Sequence, residues 1–521
     1  MASQGIEIEK KYDVGDAATV PALEELPGVA RVGAARTAVL EAVYFDTDQY
    51  TLASRRITLR RRTGGGDAGW HLKLPPEASA ETELQQRREV HAPLGQPGVV
   101  PDSLLAYVQA YLRGDEVKPV VRLETRRTTH ALYGEDGVHL ADLADDQVEA
   151  TLLPHGDAPA QRQSWREWEL ELVHGGPDLF APAEEVLTAA GARPAGHASK
   201  LARALGGDEG GAAAQEERET PAALLAGKKA PAAAVVTVYV AEQLRGLLAD
   251  DAAVRLEEPE GIHNMRSAIR RLRSVLGAYR KLYRAMPVRR LRDELDWLAL
   301  LLGDPRDSQV VLERLRGQLD ELPPGDARDA VREQVERKAG AAFDAGYRLV
   351  QEALKSERYF RLLDNLEDFR DHPPVRAEAV APGRRIAAKA VDKSARRLRR
   401  SHKAARDARR GTDHENALHQ VRKDAKRLRH VAESAALVTG KRAGKVVNAA
   451  HKQQRILGDF HDALIARNLL QDLEAGHGLA QSTAQALAAL RARQAELMDA
   501  AVAKYRKARK KSRALLRRGV I

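Results

Sequence analysis

The stretch Gly5–Tyr12 reads GIEIEKKY and alternates without a break. In a β-strand, Glu7, Glu9 and Lys11 therefore share one face while Ile6 and Ile8 take the other. Two carboxylates and an ammonium make a poor core face. They suit a solvated edge strand, or a polar cavity that holds a cation and, through it, an anion. The recurrence of the pattern in later strands favours the cavity.

Up to residue 205 the chain consists of short alternating runs broken by Gly, Pro and Asp turns. Thr58, Arg60 and Arg62 oppose Ile57, Leu59 and Arg61, and the GGGDAG turn returns the chain into Trp70–Leu74, where His71 and Lys73 share a face. Arg87, Glu89 and His91 follow in one parity. Arg122, Glu124 and Arg126 do the same, with Arg127 on the other face, and VHLADLADDQV carries Asp142, Asp145 and Asp146. Glu167, Glu169 and Glu171 then align with Trp168 and Leu170 behind them, and GHASKLARAL supplies Ser199, Lys200 and Arg203. A closed barrel with these charges inside would turn apolar residues outward and need a covering layer. Helical segments near 102–112 and 179–191 could supply part of it. Arg and Lys bind phosphate oxygens, and clustered Glu and Asp hold a hard cation such as Mg²⁺ or Mn²⁺. Phosphoryl transfer needs both.

Composition narrows the partners. With 521 residues the chain is long enough for at least two domains. Its formal net charge of +10 points to anions: polyphosphate, nucleic acid or an acidic surface. Aromatic residues at 4 % argue against a base-stacking surface. The lack of cysteine removes disulfides, thiolate nucleophiles and Cys-ligated zinc. The sequence shows no secretory h-region at its start and no uninterrupted apolar run of bilayer length, so a cytoplasmic protein without a membrane partner is expected.

Residues 206–231, rich in Gly, Ala, Pro and charge, read as a linker. From Ala232 the period becomes helical. HNMRSAIRRLR (263–273) matches HQVRKDAKRLR (419–429), and LLGDPRDSQVV (301–311) matches ILGDFHDALIA (456–466), both roughly 155 residues apart. Two matches in nearly one register indicate duplication of a multi-helix unit, divided here as 232–375 and 376–521. His263, Arg266, Arg270 and Arg273 form one stripe of a helix, repeated as His419, Arg422, Lys426 and Arg429. Like charges at this spacing cost helix stability, so two such stripes, each led by His, favour an anion-binding face over a merely solvated one. The LGD segments add Arg306 with Asp307, and His461 with Asp462, for which helix interruption and ion pairing are equally good accounts.

With these residues in view, the N-terminal two fifths resemble the CYTH family, or triphosphate tunnel metalloenzymes. The likeness rests on Glu-x-Glu-x-Lys, LRRR, HLKLP, QRREV, the closing Glu-x-Glu-x-Glu and the late Ser-Lys. The remainder, from about 227, resembles the CHAD domain, a conserved-histidine α-helical domain, through the duplicated His-x-x-Arg and LGD-x-x-D motifs. The expected fold is thus α+β multidomain: an antiparallel eight-stranded tunnel, open at both ends and flanked by helices, then two four-helix bundles around a basic cavity. The resemblance implies metal ligation by Glu7, Glu9, Glu169 and Glu171, with Glu167 or an Asp of 145–146; the family's acidic position in LADLADDQV falls on Asp142, Asp145 or Asp146. It implies phosphate contacts from Lys11, Arg60, Arg62, Lys73, Arg87 and Lys200. Arg122 joins them, with Arg126 favoured by parity and Arg127 by motif position. Glu89 would orient the metal or a water, so that Glu7, Glu9, Lys11, Glu89 and Lys200 form the catalytic set. In the helical half His263, Arg266, Arg270, Arg273, Arg306, His419, Arg422, Lys426, Arg429 and His461 would grip polyphosphate.

The sequence-level expectation is a Mg²⁺- or Mn²⁺-dependent hydrolase of inorganic triphosphate or short polyphosphate whose helical domain captures longer chains, with polyphosphate granules as an associated site. Its rivals are a nucleoside or thiamine triphosphate hydrolase or cyclase, a polyphosphate-binding protein with little turnover, and a nucleic-acid binder suggested by charge alone.

Overall fold

The computed structural model describes residues 3–75, 85–154, 159–206, 224–225, 230–476 and 478–518. It separates into two compact units, Met1–Arg218 and Glu219–Ile521.

The first unit is a closed antiparallel barrel. Strands β1 (Ser3–Val14), β3 (Arg36–Asp46), β4 (Thr58–Thr63), β5 (Gly69–Leu74), β6 (Gln85–Ala92), β7 (Lys118–Tyr133), β8 (His139–Leu152) and β9 (Gln161–Leu172) run in the order β1-β6-β5-β4-β3-β7-β8-β9. Glu9 pairs with Gln85 of β6 on one side and Glu171 of β9 on the other, which closes the ring. Two short strands, β2 (Arg31–Val32) and β10 (Arg193–Pro194), add to β7 and β1.

Closure gives every strand an inner and an outer face, and the usual sidedness is inverted. On β1, Glu7, Glu9 and Lys11 point inward. Tyr12 points outward into a core with Leu143, Trp168 and Leu170, covered by Phe180, Ala183 and Leu187 of α2 (Phe180–Ala189) and by Leu23 and Leu26. The helix α1 (Asp102–Leu112) covers β6, with Arg88 stacked over Tyr107 at 5.2 Å. The covering layer expected near 102–112 and 179–191 is therefore present.

The expectation of two open ends is corrected. The short helix α3 (Lys200–Ala204), capped by Ser199, inserts Leu201 and Ala204 among the inward-facing Ala42, Leu123, Val148 and Ala150, and so fills one end of the barrel. Apolar residues at that end give the helix a dry seat.

The second unit is all helical. It contains α4 (Ala232–Arg255), α5 (Gly261–Tyr279), α6 (Ala285–Leu301), α7 (Gly303–Asp320), α8 (Asp326–Leu354), α9 (Glu357–Asp371), α10 (Gly383–Asp407), α11 (Thr412–Thr439), α12 (Lys441–Glu474), α13 (Gln481–Ser512) and α14 (Leu515–Arg518). The duplication pairs α4, α5, α6–α7 and α8 with α10, α11, α12 and α13. Its counterparts differ at one joint. Pro305 removes an amide hydrogen and crowds the carbonyl four residues back, and the helix is broken between α6 and α7; Phe460 stands at the matching place in the continuous α12.

The repeats do not fold side by side as 232–375 and 376–521. Val311, Leu315 and Leu319 of α7 and Val331 and Val335 of α8 share a core with Ala466 and Leu470 of α12 and Leu487 and Leu490 of α13. Likewise α4 and α5 pack with α10 and α11, where Tyr279 Oη meets Ser434 Oγ at 3.2 Å. Each four-helix bundle therefore takes helices from both repeats. The helix α4 is long and apolar enough to cross a membrane by length and composition, and 61 % of that apolar window is buried within the protein.

Helix α8 passes α7 closely at Gly346, where an added Cβ would lie 2.8 Å from Pro305 Cδ and 3.2 Å from its backbone nitrogen. Glycine to alanine inside a helix ordinarily stabilises by about 0.4–1 kcal/mol. Here the neighbour is a rigid ring, so Gly346→Ala should lower the melting temperature, whereas Gly317→Ala on exposed, open surface should raise it. Thermal unfolding of the two variants checks both signs.

Candidate functional site

The barrel interior encloses a cavity of about 110 Å³, lined almost wholly by charge. Bases come from β4 (Arg60, Arg62), β5 (Lys73) and β6 (Arg87). Acids come from β1 (Glu7, Glu9) and β9 (Glu169, Glu171), with Glu89 of β6 set beside the bases. Lys11, Arg127 and Lys200 stand among the acids.

Lys200 ties the acidic side together. Its Nζ lies 2.9 Å from Asp146 Oδ2, 2.7 Å from Glu167 Oε1 and 2.7 Å from Glu169 Oε1. Arg127 donates through Nε and Nη2 to both oxygens of Asp146, at 2.8 and 2.6 Å, and also pairs with Glu169. Lys11 bridges Glu169 and Glu9, the latter at 3.1 Å. Burial alone would raise these carboxyls, but Lys11 and Lys73 pull Glu9 down to about 2, and Lys200 and His197 do the same for Glu167. Lys11, Lys200 and Arg127 hold Glu169 well below its usual range. Glu171 escapes them: burial and the neighbouring Glu7 push it up to about 7.

On the basic side Lys73 pairs with Glu7, and Arg60 Nη1 donates to Tyr44 Oη at 3.3 Å. Arg87 Nη2 donates to the Ala198 carbonyl at 2.6 Å. Glu89 accepts from His71 Nδ1 at 2.9 Å and is drawn to about 2 against the effect of burial, by that bond and by Lys73. Arg62 pairs with Asp67, yet burial, Arg60 and Arg127 depress it to about 10. Positive charge is in excess on this wall.

Three sequence expectations are corrected here. Arg122 and Arg126 lie on the solvent face of β7, exposed, and Arg127 is the arginine that lines the cavity. Asp145 turns outward to Arg166, with bonds of 2.8 and 2.7 Å, and Asp146 takes the interior position. Asp142 pairs with His139 at 2.8 Å. Sequence reasoning missed Tyr44, Asp67, His197 and Trp165, whose Nε1 donates to Glu167 Oε2 at 2.6 Å. For Tyr44 a signal existed, since it alternates with Ala42 on β3.

The residues fit a metal ion. Asp146, Glu167 and Glu169 each present a carboxylate oxygen, all within 4.8 Å of one another. Three hard anionic oxygens suit Mg²⁺ or Mn²⁺. Glu7, Glu9 and Glu171 extend the same wall.

In the helical unit, Arg266 and Arg270 of α5 approach Arg422 and Lys426 of α11, with Asp307 and Asp462 nearby. Arg266 Nη1 donates to Asp307 Oδ1 at 2.8 Å, and the rings of His419 and His461 lie 4.9 Å apart. Burial, Arg266 and Arg422 lower Arg270 to about 9, and burial with Arg422 and Arg270 brings Lys426 well below its usual value. His263 sits beside Arg306. Arg273 and Arg429 are instead drawn to Asp296 and Glu433.

A barrel with opposed walls of acid and base, in a chain that also carries a duplicated helical unit, defines a two-domain protein. Family models match accordingly: the CYTH domain over residues 5–204 and the CHAD domain over 238–471. The chain is 38 % identical over 530 residues to an uncharacterized protein found in two strains of Mycobacterium tuberculosis, with 98 % of each chain covered. Among solved structures, PptA from Streptomyces chartreusis is 20 % identical with a TM-score of 0.47, over 54 % of this chain and 99 % of that one. A Hippeastrum protein named as an adenylyl cyclase with a dominant triphosphatase activity is 18 % identical with a TM-score of 0.23, over 38 % and 95 %. The protein belongs to the CYTH–CHAD family. The CYTH domain makes it an enzyme of the metal-dependent triphosphatase or cyclase type.

Replacing Lys200 by Met would strand Glu167 and Glu169, and losing one partner of a buried ion pair costs about 3–5 kcal/mol. Their lowered pKa values contribute stability above the unfolded carboxyl range, and this is lost as pH falls toward about 2. Lys200→Met should therefore be least stable relative to wild type near neutral pH. Denaturant unfolding in EDTA should show the gap closing as the medium is acidified.

Proposed function

We propose that the barrel hydrolyses inorganic triphosphate or short polyphosphate, and that the helical unit binds inorganic polyphosphate. The observation that carries this reading is the separation of charge across one cavity, with Arg60, Arg62, Lys73 and Arg87 facing the carboxylate wall. A linear triphosphate is charged along its whole length and suits a wall of guanidinium forks and ammoniums. Tyr44 is the aromatic side chain among the described lining residues, and it is engaged with Arg60. That supports an inorganic chain over a nucleotide, which would call for a stacking platform.

In mechanism, the arginines and Lys73 bind phosphate oxygens and offset the charge that builds on them. Arg127 and Lys200 fix the rotamers of Asp146, Glu167 and Glu169, so the carboxylate oxygens are preorganised. A divalent cation held by those three in place of the Lys200 ammonium, with Glu7, Glu9 and Glu171 beside them, would polarise phosphate oxygens and ease deprotonation of water. The filled end at α3 keeps bulk water from crossing the site.

Phosphate release from tripolyphosphate, ATP and long-chain polyphosphate, each with Mg²⁺, Mn²⁺ or EDTA, tests the reading. Metal-dependent release from tripolyphosphate with ATP slow is expected, and Arg60→Ala should cost about 10²-fold in kcat/KM. No release from any substrate beside tight polyphosphate binding would leave a binding protein on an enzyme's fold.

The helical unit makes a separate prediction. Burial and surrounding cations keep His263, His419 and His461 below their usual pKa, His461 at about 4. A bound polyanion reverses that field, so binding takes up protons and tightens as pH falls from about 8 to about 5. Calorimetric titration across that range should show this, and a triple His→Gln variant should flatten it.

A further inference from the structure

The duplication sets each residue of α5 against one of α11, and the copies differ in charge at Ser267/Lys423, at Ala268/Asp424 and, further along, at Gly277, which matches Glu433. In the second copy Glu433 accepts from Arg429 at 2.7 Å and from Tyr239 Oη at 3.2 Å. It also lies 3.8 Å from Arg271, which reaches over from α5. Arg427 is the counterpart of Arg271 and reaches the other way, toward Gly277. Its Nη2 lies 3.0 Å from where a Cβ on Gly277 would be. No carboxylate meets it there. Arg292 of α6 closes on the same point, with Cζ and Nε 3.4 Å from that Cβ position and Nε buried without a hydrogen-bond partner.

The exposed Arg397 and Arg280 lie near enough to act on Arg427, whose pKa burial, Arg397, Arg292 and Arg280 lower against the pull of Asp424. The opposing acid, Asp424, is already committed to Arg397 at 2.6 Å, to Ser401 and to Gln420 at 3.1 Å. Among the described residues Arg280, Arg292 and Arg427 form no ion pair. Four converging guanidiniums that share one carboxylate are unfavourable in a partly buried place, and an external anion relieves them.

We propose that Arg280, Arg292, Arg397 and Arg427, gathered around the missing side chain of Gly277, form a second anion site that takes phosphate groups of a polyphosphate chain. Four guanidiniums and no lysine suit the paired oxygens of a phosphate. Gly277 lies two helical turns beyond Arg270, ~10 Å along α5, a separation of the order that an extended chain of several phosphates spans. This inference rests on the polyphosphate-binding reading of the helical unit and extends it.

The test supplies the lost carboxylate. Gly277→Glu gives Arg427 and Arg292 an internal partner, and the atoms it meets are the movable ends of long side chains. Long-chain polyphosphate is titrated into the full chain in EDTA, with thermal unfolding in parallel. Gly277→Glu should remain folded and bind about tenfold more weakly, the loss of a charge-assisted hydrogen bond or two, and Arg427→Gln should do likewise. Gly277→Ala should bind as wild type. Equal loss in Gly277→Ala would overturn the proposal, because packing rather than charge would be responsible. So would wild-type affinity in Gly277→Glu while an Arg266→Gln/Arg422→Gln variant loses binding, an outcome that spares the first cluster. A wild-type chain that binds no polyphosphate would remove the underlying reading itself.

Discussion

The ammonium of Lys200 is the contact on which the barrel depends. Three carboxylates of β8 and β9 converge behind it, and without a cation at that point they would repel one another in a place with little water to screen them. The requirement explains the rest of the unit. A closed sheet that turns its charges inward must turn Tyr12, Trp168 and Leu170 outward, so it needs α2 and the Leu23–Leu26 segment as an external core. The same helix that delivers Lys200 also seals one end with Leu201 and Ala204. Neutralisation, orientation and closure come from five residues of chain.

Strand parity made much of this visible in the sequence. Glu7, Glu9, Lys11, Arg60, Arg62, Lys73 and Glu169 all lie on the faces that alternation assigns them. Parity failed where two like residues adjoin. Arg122, Glu124 and Arg126 alternate as regularly as an interior set, but alternating charge also describes a solvated face, and the burial of Leu123 and Thr125 decides for Arg127. Asp145 and Asp146 are distinguished by partners from other elements, Arg166 for the first and Arg127 and Lys200 for the second. The inward course of α3 left no trace, because five residues are too few to show a helical period.

In the helical unit the sequence revealed duplication but not its arrangement in space. An internal repeat is equally compatible with two separate bundles and with interleaved ones; the shared core of α7, α8, α12 and α13 distinguishes them. Interleaving brings the two basic stripes into one cluster, which neither repeat could build alone. It also allows the copies to diverge at matched positions: Pro305 against Phe460 in the backbone, Gly277 against Glu433 in charge.

The filled end of the barrel bears on how a polymer can be used. A tube open at both ends lets a chain thread through and be cut anywhere along its length. With α3 seated in one end, a linear substrate of the kind proposed above would have to enter and leave by the other and could be inserted only by its terminus. On that reading the barrel would trim from the end, and long chains would shorten gradually rather than fall into fragments of intermediate size.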